Sequence, residues 1–162
     1  MDLTSILVLA GFLLACFVVA TTAAVFRPDA WYEALRKPSW NPPNWLFPPA
    51  WTVLYIMIAV SGWLVWRELG FAGAALPLAV FVVQLVLNGL WSPIFFGMKR
   101  LDLAFYELTI LWVSIVACIL LFAPISATAA WLLVPYLAWV SFAGLLNYTV
   151  WKLNAEEVPA SS

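Results

Sequence analysis

Five long apolar runs, at about 5–26, 47–66, 74–97, 103–123 and 128–151, decide what this chain can become. A helix needs about 20 residues, at ~1.5 Å rise each, to cross ~30 Å of hydrocarbon. Each run meets that length. Backbone groups in hydrocarbon have no water to bond, so each run must close its hydrogen bonds internally as a helix. The expected fold class is an all-α membrane protein, a bundle of five transmembrane helices. Composition agrees: 66% of the 162 residues are hydrophobic and 9% are charged. Soluble domains carry about 25% charge, so too little is present here to cover a surface in water.

The breaks between runs are polar or proline-containing. Arg67-Glu68-Leu69-Gly70 ends the second run, Lys99-Arg100-Leu101-Asp102 divides the third from the fourth, and Ala123-Pro124-Ile125-Ser126 divides the fourth from the fifth. One domain is expected over 1–154, followed by a disordered tail at 155–162. The first run is too long for a signal-peptide core and no basic residue precedes it, so a retained helix is expected. With five crossings, the first loop, the third loop and the C-terminus share a side. That side holds Arg27, Arg36, Lys37, Lys99, Arg100 and Lys152, and the other holds Arg67. The positive-inside rule then places the N-terminus outside and the C-terminus in the cytoplasm.

Several chemistries are excluded or unsupported. The chain has no histidine, so the commonest general base and metal ligand is missing, and so is a His-ligated haem. Cys16 and Cys118 sit inside apolar runs and read as small hydrophobes. No metal motif, disulfide framework or catalytic triad is visible. A net charge of −1 without a basic run gives no case for nucleic acid.

The first loop, roughly 27–46, is the longest connection. Pro28 suits a helix start, and residues 29–36 can form one short helix with Trp31 and Leu35 on one face. The following Lys37-Pro38-Ser39-Trp40-Asn41-Pro42-Pro43-Asn44-Trp45 is expected to be non-helical, because each proline pushes its predecessor into an extended conformation. The segment is stiff, aromatic and set at the membrane surface.

Polar and aromatic residues recur at helical spacing. Gln84, Asn88, Trp91 and Phe95 form one stripe, Tyr136, Trp139, Ala143 and Asn147 a second, and Phe47, Trp51 and Tyr55 a third. Crossing direction puts all three at matching depth beneath the first loop. Two readings fit. Amides and aromatics can line a ligand cavity, or they can join helices by interhelical hydrogen bonds and fill the core. Glu107 lies about 6 Å into the fourth run, at ~1.5 Å per residue, and is expected to snorkel to the interface rather than relay protons.

Taken together, Lys37-Pro38-Ser39-Trp40-Asn41-Pro42-Pro43, Pro49-Ala50-Trp51-Thr52-Val53-Leu54-Tyr55, Gln84 to Gly97, Pro135-Tyr136-Leu137-Ala138-Trp139 and Leu146-Asn147-Tyr148 resemble the translocator protein / tryptophan-rich sensory protein family, the peripheral-type benzodiazepine receptors. The resemblance spans roughly 26–154. It implies an intrabundle cavity near the cytoplasmic side, closed by the first loop. It implies porphyrins such as protoporphyrin IX, sterols or benzodiazepine-site drugs as ligands, no required cofactor, and a homodimer. A bacterial membrane is expected over the mitochondrial outer membrane. Carried over by position, the ligand residues would be Trp40, Trp51, Tyr55, Asn88, Trp91, Phe95, Trp139, Ala143 and Leu146. Trp51 and Trp139 would match the tryptophans implicated in light-driven porphyrin breakdown, and would be catalytic if that reaction occurs. With the resemblance, the cavity outweighs simple helix joining.

The functions that follow are a porphyrin-binding receptor or transporter with a regulatory role, an enzyme of light-dependent porphyrin degradation, or a sterol or lipid transporter. Leu146, Tyr148 and Lys152 also fit the loose L/V–Y–K/R sterol pattern, which many helix ends match by chance. Gly11 and Ala15 form a small-residue pair in the first run that could serve a dimer or only close packing.

Overall fold

The structure is a computed structural model that describes residues 1–155. Helix α1 spans Leu3–Val25 and starts on Asp2, whose carboxylate accepts from the Ser5 N–H at 2.8 Å. A short α2, Ala30–Ala34, lies in the first loop, and a 3-10 turn at Asn44–Leu46 leads into α3, Phe47–Gly73. Helix α4, Ala75–Ser92, runs into a wider π-type turn at Pro93–Gly97. Helices α5, Leu101–Phe122, and α6, Ala127–Asn154, complete the chain. No strand occurs among the described residues. Five helical segments are long and apolar enough to cross a membrane, which makes this an integral membrane protein.

Boundaries depart from expectation in instructive places. Arg67, Glu68 and Leu69 continue α3, and the helix breaks at Gly70, where φ is +68°. Only glycine takes that left-handed geometry without a Cβ penalty. In the first loop the short helix stops at Ala34, yet Trp31 and Leu35 still pack into one apolar cluster. Residues 44–46 do turn helically, against expectation, because Asn44 is the first residue past Pro43 with no proline after it. Helix α6 continues to Asn154, beyond the expected end at 151. Of the expected tail, Ala155 closes α6 and 156–162 lie outside the described residues.

Helix α6 packs against α5 and α3, α4 against α5 and α1, and α1 against α3. Burial is uneven. Only 6% of the α1 span is enclosed, against 39% for α3, α4 and α6, so α1 clads the bundle from one side. The two ends also differ. Away from the first loop, Phe81 and Phe122 stack at 6.1 Å, and Ile58, Val65, Ile115 and Ala129 are fully enclosed. Gly62 permits the closest approach there: a Cβ on it would lie 2.7 Å from the Phe12 ring and 3.0 Å from Phe81. Here α1 is tied down by Trp63, whose indole N–H reaches the Ser5 carbonyl at 3.1 Å and its hydroxyl at 3.2 Å.

Candidate ligand site at the loop end

The amide stripes meet, and they bond to one another. Tyr55 on α3 donates its hydroxyl to Asn88 Oδ1 at 2.7 Å. Asn88 Nδ2 donates to the Tyr136 hydroxyl on α6 at 2.8 Å, and Tyr136 donates onward to Gln84 Oε1 at 2.8 Å. Four side chains from three helices thus form one directional chain. Asn147 is equally engaged: Oδ1 accepts from Trp91 Nε1 at 3.0 Å, and Nδ2 donates to the Leu101 carbonyl at 3.0 Å. Both Asn88 and Asn147 therefore join helices in this structure. Gln84 Nε2 is left buried without an acceptor.

The aromatic residues fall into two neighbouring clusters. In the first, Trp51 stacks on Tyr55 at 5.3 Å and meets Trp139 nearly perpendicularly, at 6.4 Å and 87°. Phe47 and Phe142 flank Trp139, each with centroids 5.8 Å away. Trp40 from the first loop reaches Phe142 at 5.8 Å. In the second cluster, Trp91 lies 4.7 Å from Phe95, and Trp31 and Tyr32 of the loop close over Phe95 and Phe96. Burial pushes the Tyr32 hydroxyl pKa up, which keeps it neutral. Trp91 packs against both apolar clusters. The nine residues carried over by resemblance are therefore gathered at the loop end, divided between two ring clusters rather than around a single one.

Their exposure separates them further. Phe95 and Leu146 are buried at 3% and 8%, Trp51, Tyr55, Trp91, Trp139 and Ala143 are half-buried, and Trp40 is exposed at 44%. An apolar groove of about 550 Å³ opens between α3 and α6, lined by Ala50, Val53, Leu54, Met57, Pro135, Ala138, Trp139 and Phe142. Of the nine, Trp139 alone lines it. The Trp139 Nε1 is buried and has no acceptor. Pro135 sits on the same groove and lacks the N–H that would otherwise close a helical bond.

One expectation is corrected. Glu107 does not snorkel: it is 8% exposed, and both carboxylate oxygens are buried without a partner. It shares the buried face of α5 with Ala104, Leu108 and Leu111, so its side chain points between helices. The sterol-pattern residues lie on two surfaces. Leu146 is buried, whereas Tyr148 is 43% exposed in an outer group with Phe105, Tyr106 and Trp151, under the Lys152 ammonium.

Residues that the sequence reading passed over complete the site. Phe142 bridges Trp40 and Trp139, and Tyr32 docks α2 onto Phe95 and Phe96 of the turn after α4. Asn154 is 2% exposed and bonds Arg36 in the first loop. A signal for Asn154 was present, since it lies seven residues past Asn147 on the same stripe.

The model described as the TspO/MBR family matches residues 8–152. Protein CrtK from Rhodobacter capsulatus is 44% identical over 160 residues, covering 96% of this chain and 98% of that protein. The tryptophan-rich sensory protein of Cereibacter sphaeroides is 41% identical, with 88% of this chain and 89% of the relative aligned. The human translocator protein is 42% identical over 126 residues, 76% of this chain and 75% of its own length.

Proposed function

The chain belongs to the TspO/MBR family, and from that premise we propose that it binds protoporphyrin IX and related planar apolar ligands at the loop end, with a sensory role in tetrapyrrole handling. The observation that carries this reading is the Trp51–Trp139 pair. Two half-buried indoles at 87° offer a face and an edge to a flat ring, with Tyr55 extending the face. Aromatic pairs gain about 0.5–1.5 kcal/mol beyond area burial. Asn88 and Asn147 support the site indirectly, because their bonds fix the rotation of the helices that carry the rings. The rest of the proposal follows the family and the charge pattern: the C-terminus in the cytoplasm, a bacterial membrane and a homodimer.

Titration of protoporphyrin IX against tryptophan fluorescence tests the reading. Saturable quenching is expected, weakened several-fold in Trp51→Phe and Trp139→Phe. Unchanged affinity in both variants refutes the pair as the platform.

A second reading has one specific support. The same two indoles adjoin the proposed ring position, and indole photochemistry with porphyrin and oxygen needs no histidine base. Illuminated porphyrin should then lose absorbance and yield a new product only while Trp51 and Trp139 are intact. Decay at the protein-free rate removes it. For the third function, sterol or lipid transport, protein-dependent flux in vesicles is the requirement.

A further inference from the structure

We propose that Asn154 is a positioning residue for this site: its carboxamide clasps the Arg36 backbone and holds the first loop, with Trp40, over the Trp51–Trp139 cluster. The geometry is reciprocal. Asn154 Oδ1 accepts from the Arg36 N–H at 3.0 Å, and Asn154 Nδ2 donates to the Arg36 carbonyl at 2.9 Å. A side chain here makes the paired bonds that one strand residue makes with its antiparallel neighbour. The same Nδ2 donates to the Val150 carbonyl at 2.7 Å, one turn back on α6, so the amide is held in place before the loop arrives.

The place of the clasp gives it leverage. Arg36 lies between the loop's two aromatic anchors, Tyr32 docked on Phe95 and Phe96 of the turn after α4, and Trp40 docked on Phe142 of α6. Fixing Arg36 to the end of α6 sets where the loop crosses from one cluster to the other. The Lys99–Asp29 pair, at 3.9 Å with both side chains more than 40% exposed, is a weak tie by comparison. Both Asn154 bonds need a carboxamide of this length. Aspartate keeps the acceptor and loses the donor, and glutamine places the same atoms one methylene too far out.

The inference rests on the loop-end site being the ligand site, so the test has one arm without ligand. In lipid nanodiscs, trypsin cutting after Arg36 reports loop opening, because a protease needs its target segment free of the fold. Asn154→Ala is expected to be cut on the order of tenfold faster than wild type, two net hydrogen bonds being lost, with Asn154→Asp in between. Helical circular dichroism and the thermal midpoint confirm that each variant is folded, and the aspartate variant carries the test if alanine fails that check. An unchanged cutting rate overturns the clasp. In the second arm, protoporphyrin dissociation followed by tryptophan recovery should accelerate in the same order. Faster cutting with unchanged dissociation overturns the positioning role while leaving the clasp. No porphyrin binding by the wild-type chain overturns the site reading, and the role with it, while the cutting comparison still decides the clasp.

Discussion

The two ends of the bundle solve different problems. Away from the first loop, space is filled: Phe81 stacks on Phe122, Phe12 meets Gly62, and Ile58, Val65 and Ile115 are fully enclosed. At the loop end, helices are joined by amides and hydroxyls, and large rings stay half-buried around them. Lipid is as apolar as leucine, so helices in a membrane gain little from burying hydrophobic surface and depend on close packing and hydrogen bonds. The closed end uses the first means. The loop end uses the second, which fixes helix rotation without filling every space and so leaves aromatic faces half-buried.

The largest expected effect is at the closed end. Phe81→Ala should cost about 3 kcal/mol, near the lower bound for such truncations because the transfer gain is small in lipid. Unfolding in graded SDS would show it, and porphyrin affinity of the folded fraction should not move. Next comes Gly62→Val, which drives a branched side chain into the Phe12 and Phe81 rings and should cost about 2 kcal/mol. A neutral outcome in the same assay would mean that this end is looser than its distances say.

Asn88→Leu should cost about 1 kcal/mol, in line with interhelical hydrogen bonds in membranes. It unlinks Tyr55 from Tyr136, so its porphyrin affinity should fall more than its stability. A loss as large as that of Phe81→Ala would erase the distinction between the ends. The smallest stability effect belongs to Trp40→Ala, expected within about 0.5 kcal/mol because the side chain is largely exposed. Its porphyrin dissociation should nonetheless quicken at least threefold by stopped-flow fluorescence. An unchanged rate would separate the loop from the ligand.

Much of this site was legible as stripes. Gln84, Asn88 and Trp91, and Tyr136, Trp139 and Asn147, announce themselves by spacing and by the cost of an amide in hydrocarbon. Spacing did not reveal that Asn88 and Asn147 use their bonding capacity on other helices, or that Phe95 sits in a second cluster while Trp91 packs on both. Nor is the partner of Asn154 legible: the residue continues the Asn147 stripe, but it lies past the expected end of the fifth run at 151, where hydropathy falls near Lys152. Glu107 was misread for a related reason. Depth along a helix can be counted from the sequence, but the direction in which a side chain faces cannot.

What the sequence by itself determined is the number of crossings, their approximate limits, the stiff aromatic loop and the depth of the polar residues. Each depends on distance along one chain, which length, hydropathy and proline chemistry set locally. The tertiary structure alone decided which stripe faces which, that the carboxylate of Glu107 points inward, and that the last residue of α6 holds the first loop. In a membrane bundle both the lipid face and the core face of a helix are apolar, so the pattern that betrays the buried side of a soluble helix is weak. Helix rotation is then set by contacts between distant residues, such as Tyr55 with Asn88 and Asn154 with Arg36.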